Sequence, residues 1–182
     1  MFVRIVSTAK LPVRMKSMEN EKRGLLSDLR VALAKDRFWS HSLSVQNEKS
    51  FTLHLGIFRE PYLTSIMEGK KTIETRFAKR PCAPYQRIAA GDIIVLKRAA
   101  GRIVGVCMAD RVWFYRLDVE SFSLIKETFG SAICPSDESF WDTRKQSAVA
   151  TLILVSNVAA VSNVQFKKRD RRGWIVFKGC AD

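Results

Sequence analysis

The stretch that decides the fold is Gly69-Lys70-Lys71-Thr72-Ile73-Glu74-Thr75-Arg76. It follows residues 60–67, whose apolar residues recur at helical spacing, so Gly69 lies where a glycine commonly ends a helix. Residues 72–77 then predict a strand. Because alternate residues of a strand face the same side, Glu74 and Arg76 share one face with Thr72, and Ile73 shares the other with Phe77.

Two interpretations of this charged face are open. If the face lines a cleft, Glu74 and Arg76 are partners there, and the Lys71 amine reaches over the same cleft from the turn before the strand. If the face is solvated, the Glu–Arg contact is weak and contributes under ~1 kcal/mol.

Outward from this stretch, the pattern predicts an α+β domain over residues 51–182. Short apolar runs and turn residues indicate strands at 53–58, 93–96, 103–114, 148–155 and 174–177. Gly105 marks a bend or bulge in the long strand. Asp118 caps a helix that Gly130 ends, and Ser136 caps a second, short helix. Helices inserted irregularly between strands favour a small β-barrel over a parallel sheet.

Residues 1–50 form a basic N-terminal extension. Leucines at helical spacing predict one helix over residues 21–38, and the polar run 40–50 is typical of a linker. We expect a loosely attached extension rather than a separate functional module.

The charge favours an anionic partner. Lys and Arg number 31 against 18 Asp and Glu, a formal net charge of +13. Such a balance is typical of proteins that bind RNA, DNA or nucleotides. No run approaches the roughly 20 apolar residues needed to span a bilayer, and no secretory signal is visible, so we expect no membrane association.

The four cysteines and two histidines predict no metal site. They are widely spaced in the sequence, without a C-x-x-C pair. We therefore expect reduced thiols in a cytoplasmic protein, with no disulfide framework, metal or cofactor.

A second basic cluster covers residues 167–174. Arg169, Arg171 and Arg172 are candidate phosphate ligands, because guanidinium groups bind phosphate oxygens in pairs. Trp174 offers a stacking face for a base if it is exposed, and packs in the core if it begins the last strand.

The pattern Gly69-x-Lys71-x-x-Glu74-x-Arg76 resembles the G-x-K-x-x-E-x-R signature of the ASCH domain, named after the activating signal cointegrator. The resemblance covers roughly residues 53–177 and includes the stretch 59–62, the Gly91-Asp92 turn and the Trp174 strand. It implies a PUA-like β-barrel with a cleft floored by the motif, and RNA or nucleotides as ligands.

One bacterial branch of this family hydrolyses N4-acetylcytidine with a lysine, a threonine and a later glutamate. Its lysine corresponds to Lys71, but Glu74 stands at the threonine position and Met108 at the glutamate position, with Asp110 two residues on. The hydrolase activity therefore does not carry over by residue identity.

The leading hypothesis is an RNA- or nucleotide-binding domain whose ligand-binding residues are Lys71, Glu74, Arg76, Arg169, Arg171, Arg172 and Trp174. The alternative is a hydrolase of a modified nucleoside or of RNA, with Lys71 and Glu74 catalytic and Asp110 a further candidate. A third class is an adaptor in transcription or RNA processing, where the basic surface supplies affinity alone.

Overall fold

The computed structural model describes residues 13–166 and 171–177. The helices in this part of the chain are α1 (Val13–Ala32), α2 (Arg37–Ser42), α3 (Tyr62–Met67), α4 (Val119–Ile133) and α5 (Ser139–Asp142), with a 3-10 turn at Val45–Asn47. The strands are β1 (Leu53–Phe58), β2 (Ile73–Ala78), β3 (Ile93–Arg98), β4 (Ile103–Arg116), β5 (Val149–Ala160) and β6 (Trp174–Phe177).

The six strands form one sheet in the order β2-β5-β4-β3-β1-β6. Only β1 and β3 pair in parallel; the other neighbours are antiparallel. The sheet curls into a half-barrel, so that its edge strand β2 comes back towards β1, where Arg76 Nη2 donates to the Ile57 carbonyl at 3.0 Å. The predicted α+β architecture with a PUA-like barrel and inserted helices is confirmed.

The core lies on both faces of this sheet, because strand residues alternate between them. The inner face holds a cluster that includes Phe58, Leu96, Ile153 and Trp174. The outer face is covered in two places. Helices α1 and α2 cover the β1–β3 side, and helices α4 and α5 cover the β2–β5 side, where Ile73 is buried.

The expectation of a loosely attached N-terminal extension is wrong for residues 13–50, the part of it that the structure describes. The predicted leucine face does exist, and Leu26 and Leu29 are fully buried against Leu55 of the sheet. The predicted single helix is two helices, because the Asp36 side chain accepts from Trp39 N at 3.0 Å and caps α2. The predicted linker contains the buried Leu43. The described part of residues 1–50 is therefore part of the core.

Helix ends in the second half of the chain differ partly from the prediction. The Asp118 cap is confirmed, and Ser121 completes a capping box with it. Helix α4 continues through Gly130 and ends at Cys134, which has a left-handed backbone (φ 53°). Ser136 does not cap α5; its hydroxyl contacts the Tyr62 hydroxyl at 2.9 Å.

Two glycines in the fold have clear local reasons. Gly69 has φ 73° and follows α3, as predicted for a glycine that ends a helix. Gly105 lies beside the register shift between β3 and β4, so the predicted irregularity there is confirmed. A Cβ atom at Gly105 would lie 2.7 Å from the Ala159 carbonyl oxygen and 2.8 Å from Met67 Sδ.

Candidate functional site

A cavity of about 920 Å³ opens over the edge strand β2. Its floor runs from Glu74 to Lys79. One wall contains the end of β1, the start of α3 and the loop after β3. The opposite wall contains Phe140 and Arg144 at α5, and residues 171–173 complete the rim. The signature motif and the late arginines, 100 residues apart in sequence, thus meet at one cavity.

Lys71 is buried at the bottom of this cavity, with 2% of its surface exposed. Its Nζ donates to the carbonyls of Ile73 and Ile133, both at 2.7 Å, and lies 3.7 Å from Glu74 Oε2. Burial lowers the pKa of Lys71, while the Glu74 carboxylate acts in the opposite direction. Two carbonyls and a carboxylate are the partners that a protonated amine with three donors requires.

Glu74 and Arg76 are partners, and both also contact neighbouring parts of the fold. Arg76 Nε donates to Glu74 Oε1 at 2.8 Å. The Arg76 guanidinium lies over the rings of Phe58 and Trp174, at 4.8 and 4.9 Å from their centroids. Its Nη2 donates to Ile57 O of β1, so the side chain joins the edge strand β2 to β1 across the curled sheet.

The motif is therefore an internal brace of the half-barrel. The predicted shared face of Glu74 and Arg76 is confirmed, and the solvated interpretation is wrong, since Glu74 is 5% exposed. A general base or nucleophile directs a lone pair at its substrate, whereas the Lys71 amine is directed at protein carbonyls. This geometry gives no support to a catalytic role for Lys71.

Asp110 does not replace the missing family glutamate. It is exposed at the β4 register shift between Ala109 and Arg111, outside the residues that line the cavity. Met108 packs on the outer face, under α1. The residue of β4 that faces the motif is Cys107, whose burial raises the pKa of its thiol, with a further contribution from the Glu74 charge.

Trp174 is a core residue and not an exposed stacking surface. It is 3% exposed, and the Arg76 guanidinium covers its ring. Its Nε1 donates to His54 Nδ1 at 3.0 Å, and His54 Nε2 lies 3.0 Å from Asp92 Oδ2. Because His54 Nδ1 accepts, its Nε2 carries the hydrogen and donates to Asp92. The stacking role expected for Trp174 is therefore corrected: the ring supports Arg76.

Two arginines of the basic cluster at residues 167–174 lie at the cavity. Arg171 and Arg172 are exposed and line the rim. Arg169 lies outside the described residues.

The sequence interpretation missed Arg144, which contributes a guanidinium to the opposite wall. Its Nη1 donates to Phe140 O at 2.6 Å and to Thr143 Oγ1 at 2.9 Å, and its Cζ lies 3.6 Å from the centroid of the Phe140 ring. Burial lowers the pKa of Arg144, opposed by Tyr62 and Glu74. No local pattern marks this residue, because its place at the cavity depends on how α5 packs against β2.

The charges around the cavity are strongly one-sided. Among the described residues, one acidic side chain, Glu74, lines it. The basic side chains that line it are Arg59, Lys71, Arg76, Lys79, Lys97, Arg144, Arg171 and Arg172.

The described residues provide neither a cluster of metal ligands nor a membrane-spanning helix. Residues 13–166 and 171–177 contain no group of three or more His, Cys, Asp or Glu side chains arranged to hold a metal ion. No helix in the same ranges has the length and apolar character needed to cross a membrane.

Comparison with known proteins identifies the family. The model of the ASCH domain matches residues 57–165, more than half of the chain, and the chain therefore belongs to the ASCH domain family. This domain has a PUA-like fold that is often linked to RNA binding, and ASCH domains are generally associated with nucleic acids.

A solved structure with a TM-score above 0.5 shows the same fold at low sequence identity. ASCH from Zymomonas mobilis is 13% identical and aligns with a TM-score of 0.53 over 68% of this chain and 85% of that chain. A point mutant of the Zymomonas mobilis protein aligns with a TM-score of 0.48 at 15% identity over 59% of this chain and 70% of that chain. No curated protein matches the sequence.

Proposed function

We propose that this ASCH domain binds RNA, or a nucleotide-sized part of it, in the cavity over β2. The observation that carries this proposal is the lining of the cavity, where, among the described residues, eight basic side chains accompany one carboxylate. Such a cavity attracts phosphate groups and gives salt-dependent affinity. Its volume lies in the range of sites that hold small ligands.

The phosphate contacts are assigned to the rim. Arg144, which lines the cavity, uses Nη1 on protein acceptors, while its Nε and Nη2 make no hydrogen bond to the described residues. Arg171 and Arg172 face it from the other side. Paired donors on both walls suit the spaced oxygens of a phosphodiester.

The buried motif affects ligand binding indirectly, because it holds the backbone segments that form the cavity wall in place. Arg76 holds the Ile57 carbonyl and lies 3.5 Å, through Nη1, from the carbonyl of Gly173, the residue that follows the rim arginines. Glu74 pairs with both Arg76 and Lys71, and its single negative charge offsets one of their two positive charges. We assign these three residues to shaping the cavity wall rather than to direct phosphate binding.

The hydrolase alternative has no supporting geometry of its own, because the Lys71 amine and Asp110 are not directed at the cavity as a catalytic pair. The free thiols of Cys82, Cys107 and Cys134 fit a reducing compartment, and a cytoplasmic location is part of the proposal.

The test is a fluorescence anisotropy titration of a labelled single-stranded RNA, with competition by nucleoside 5′-monophosphates. Wild-type protein is expected to bind the RNA, and the monophosphates are expected to displace it. Asp110→Asn, an exposed change outside the cavity, is the control. RNA binding that monophosphates do not displace, and that survives Arg144→Ala combined with Arg171→Ala, would contradict a site in this cavity.

A further inference from the structure

The direction of the peptide groups in β2 follows from its pairing with β5. Val155 N donates to Thr72 O at 2.9 Å, so the even-numbered residues of β2 direct their N–H and C=O groups towards β5. The peptide groups of β5 alternate in the same way. Ala148, the residue before β5, accepts from Leu117 N, so the even-numbered residues of β5 direct their peptide groups towards β4.

Ile73, Thr75 and Phe77 therefore direct their peptide groups away from β5, where no other described strand pairs with β2. The contact of Lys71 Nζ with Ile73 O confirms this direction. Helix α4 closes this end of the edge, since the same Lys71 Nζ also donates to Ile133 O, at the end of α4, at 2.7 Å. The free edge begins at Thr75, and both Thr75 and Phe77 line the cavity.

This edge offers chemistry that a phosphate does not use. The Thr75 carbonyl and the Phe77 N–H flank Arg76 on the same side of the strand, so an acceptor and a donor lie next to each other. A phosphate diester has acceptors only and leaves the carbonyl without a partner. Nucleobases carry a donor beside an acceptor along their polar edges.

The shape of the site also favours a base over a peptide strand. A peptide that adds to a sheet edge pairs along several residues. Here the open edge is short, with Lys71 and α4 at one end, and it lies inside a cavity with walls on both sides.

We propose that the free edge of β2 recognises a nucleobase, with the Thr75 C=O accepting from the base and the Phe77 N–H donating to it, while the rim arginines hold the attached phosphate. This inference rests on the proposed function, because it assigns a binding site to the base of the same nucleotide whose phosphate the rim arginines bind. It predicts that affinity depends on the base and not only on phosphate charge.

The first experiment compares the four ribonucleoside 5′-monophosphates with ribose 5-phosphate, which has the same charged group and no base. We expect at least one nucleotide to bind about tenfold more tightly, the gain from one to two net hydrogen bonds. If all four bind no better than ribose 5-phosphate, the phosphate site stands and base recognition is overturned. If none of the five binds, the proposed function fails together with this inference.

The second experiment removes a single donor. Replacing Phe77 by its α-hydroxy analogue exchanges the N–H for an ester oxygen and keeps the side chain. Because the Phe77 N–H donates to no strand among the described residues, the melting temperature of the variant should equal that of the wild type. The ratio of its affinity for the preferred nucleotide to its affinity for ribose 5-phosphate should fall about tenfold. The matched control is the α-hydroxy analogue of Ala150, the neighbour of Phe77 across the ladder, whose N–H points to β4.

The Ala150 ester should lower the melting temperature and keep the base preference. Equal loss of preference in both variants would assign the effect to the sheet as a whole and overturn the role of the edge. Binding of an acidic extended peptide that depends on the Phe77 N–H, with no nucleotide preference, would identify a protein partner and overturn the nucleobase.

Discussion

Two groups of charged residues meet at the cavity, and they differ in what their donors and acceptors contact. In the motif, Lys71, Glu74 and Arg76 are used by the protein, with carbonyl and carboxylate partners at 2.7–3.7 Å. At the rim, Arg144 uses Nη1 on protein acceptors, but its Nε and Nη2 make no hydrogen bond to the described residues, and the exposed Arg171 lines the open cavity.

This difference separates the residues that define the family pattern from those that face the ligand. A charged residue that joins β2 to β1 across a half-barrel is restricted in type by its buried partners. A rim arginine is exposed or only partly buried, so its type is restricted less by the fold and more by the ligand. The predictions below test this separation, in order of decreasing expected effect.

The largest effect is expected for Glu74→Gln. The change leaves Lys71 and Arg76 without their carboxylate inside the fold, and removing one partner of a buried ion pair costs about 3–5 kcal/mol. The free energy of unfolding, measured by urea titration, should fall by this amount. The matched control is Glu68→Gln, which removes an exposed carboxylate paired with Lys70 at 2.8 Å. Equal stability of the two variants would show that the motif is not a brace.

Arg144→Lys should have the opposite pattern. Lysine keeps the charge but loses the planar fork, so nucleotide binding should weaken by about 1.5–3 kcal/mol. The free energy of unfolding should change less. Isothermal titration calorimetry with nucleotide gives the affinity. Lys145→Ala is the control, because Lys145 is exposed, pairs with Asp142 and does not line the cavity. The same affinity loss in both variants would remove Arg144 from the site.

Arg171→Ala combined with Arg172→Ala should reduce the salt dependence of RNA binding. Each lost phosphate contact lowers the slope of log affinity against log salt by about 0.7 for a single strand. The double variant should therefore reduce the slope by about 1.4, and the reduction should be equal for all RNA sequences. Arg111→Ala combined with Arg116→Ala removes two exposed charges outside the cavity and is the control. An unchanged slope would exclude residues 171 and 172 from phosphate binding.

The smallest effect concerns Asp92, which supports the brace through His54 and Trp174. Burial alone would raise the pKa of Asp92, but hydrogen bonds from His54 and from Ala89 N and Thr52 N outweigh it and hold the pKa below 3.8. The stabilisation is therefore present above about pH 4 and lost as the pH falls through the lower folded-state pKa.

Urea titrations between pH 7 and pH 3 measure this dependence. In Asp92→Asn, the free energy of unfolding should fall less steeply below about pH 4 than in the wild type. Asp110→Asn, a change at an exposed site, should give the same pH dependence as the wild type. A wild-type profile in Asp92→Asn would show that this carboxylate does not contribute.

Much of the sheet and the shared face of the motif could be predicted from local patterns. Strand β1 begins and ends at the predicted residues, and Glu74 and Arg76 lie on one face, because a strand alternates with a period of two whatever surrounds it. The glycine after α3 and the Asp118 cap are equally local, since each acts on backbone groups within a few residues.

The sequence by itself thus determined the secondary structure around the motif, its shared face, the basic character of the chain and the family. Only the tertiary structure decided what the charges do. The Ile133 carbonyl that holds Lys71 comes from 62 residues away, and α1 is part of the core because its leucines meet a sheet made later in the chain. Arg144 reaches the cavity for the same reason. Local periodicity fixes the direction of a side chain, but burial and hydrogen-bond partners depend on contacts between distant segments.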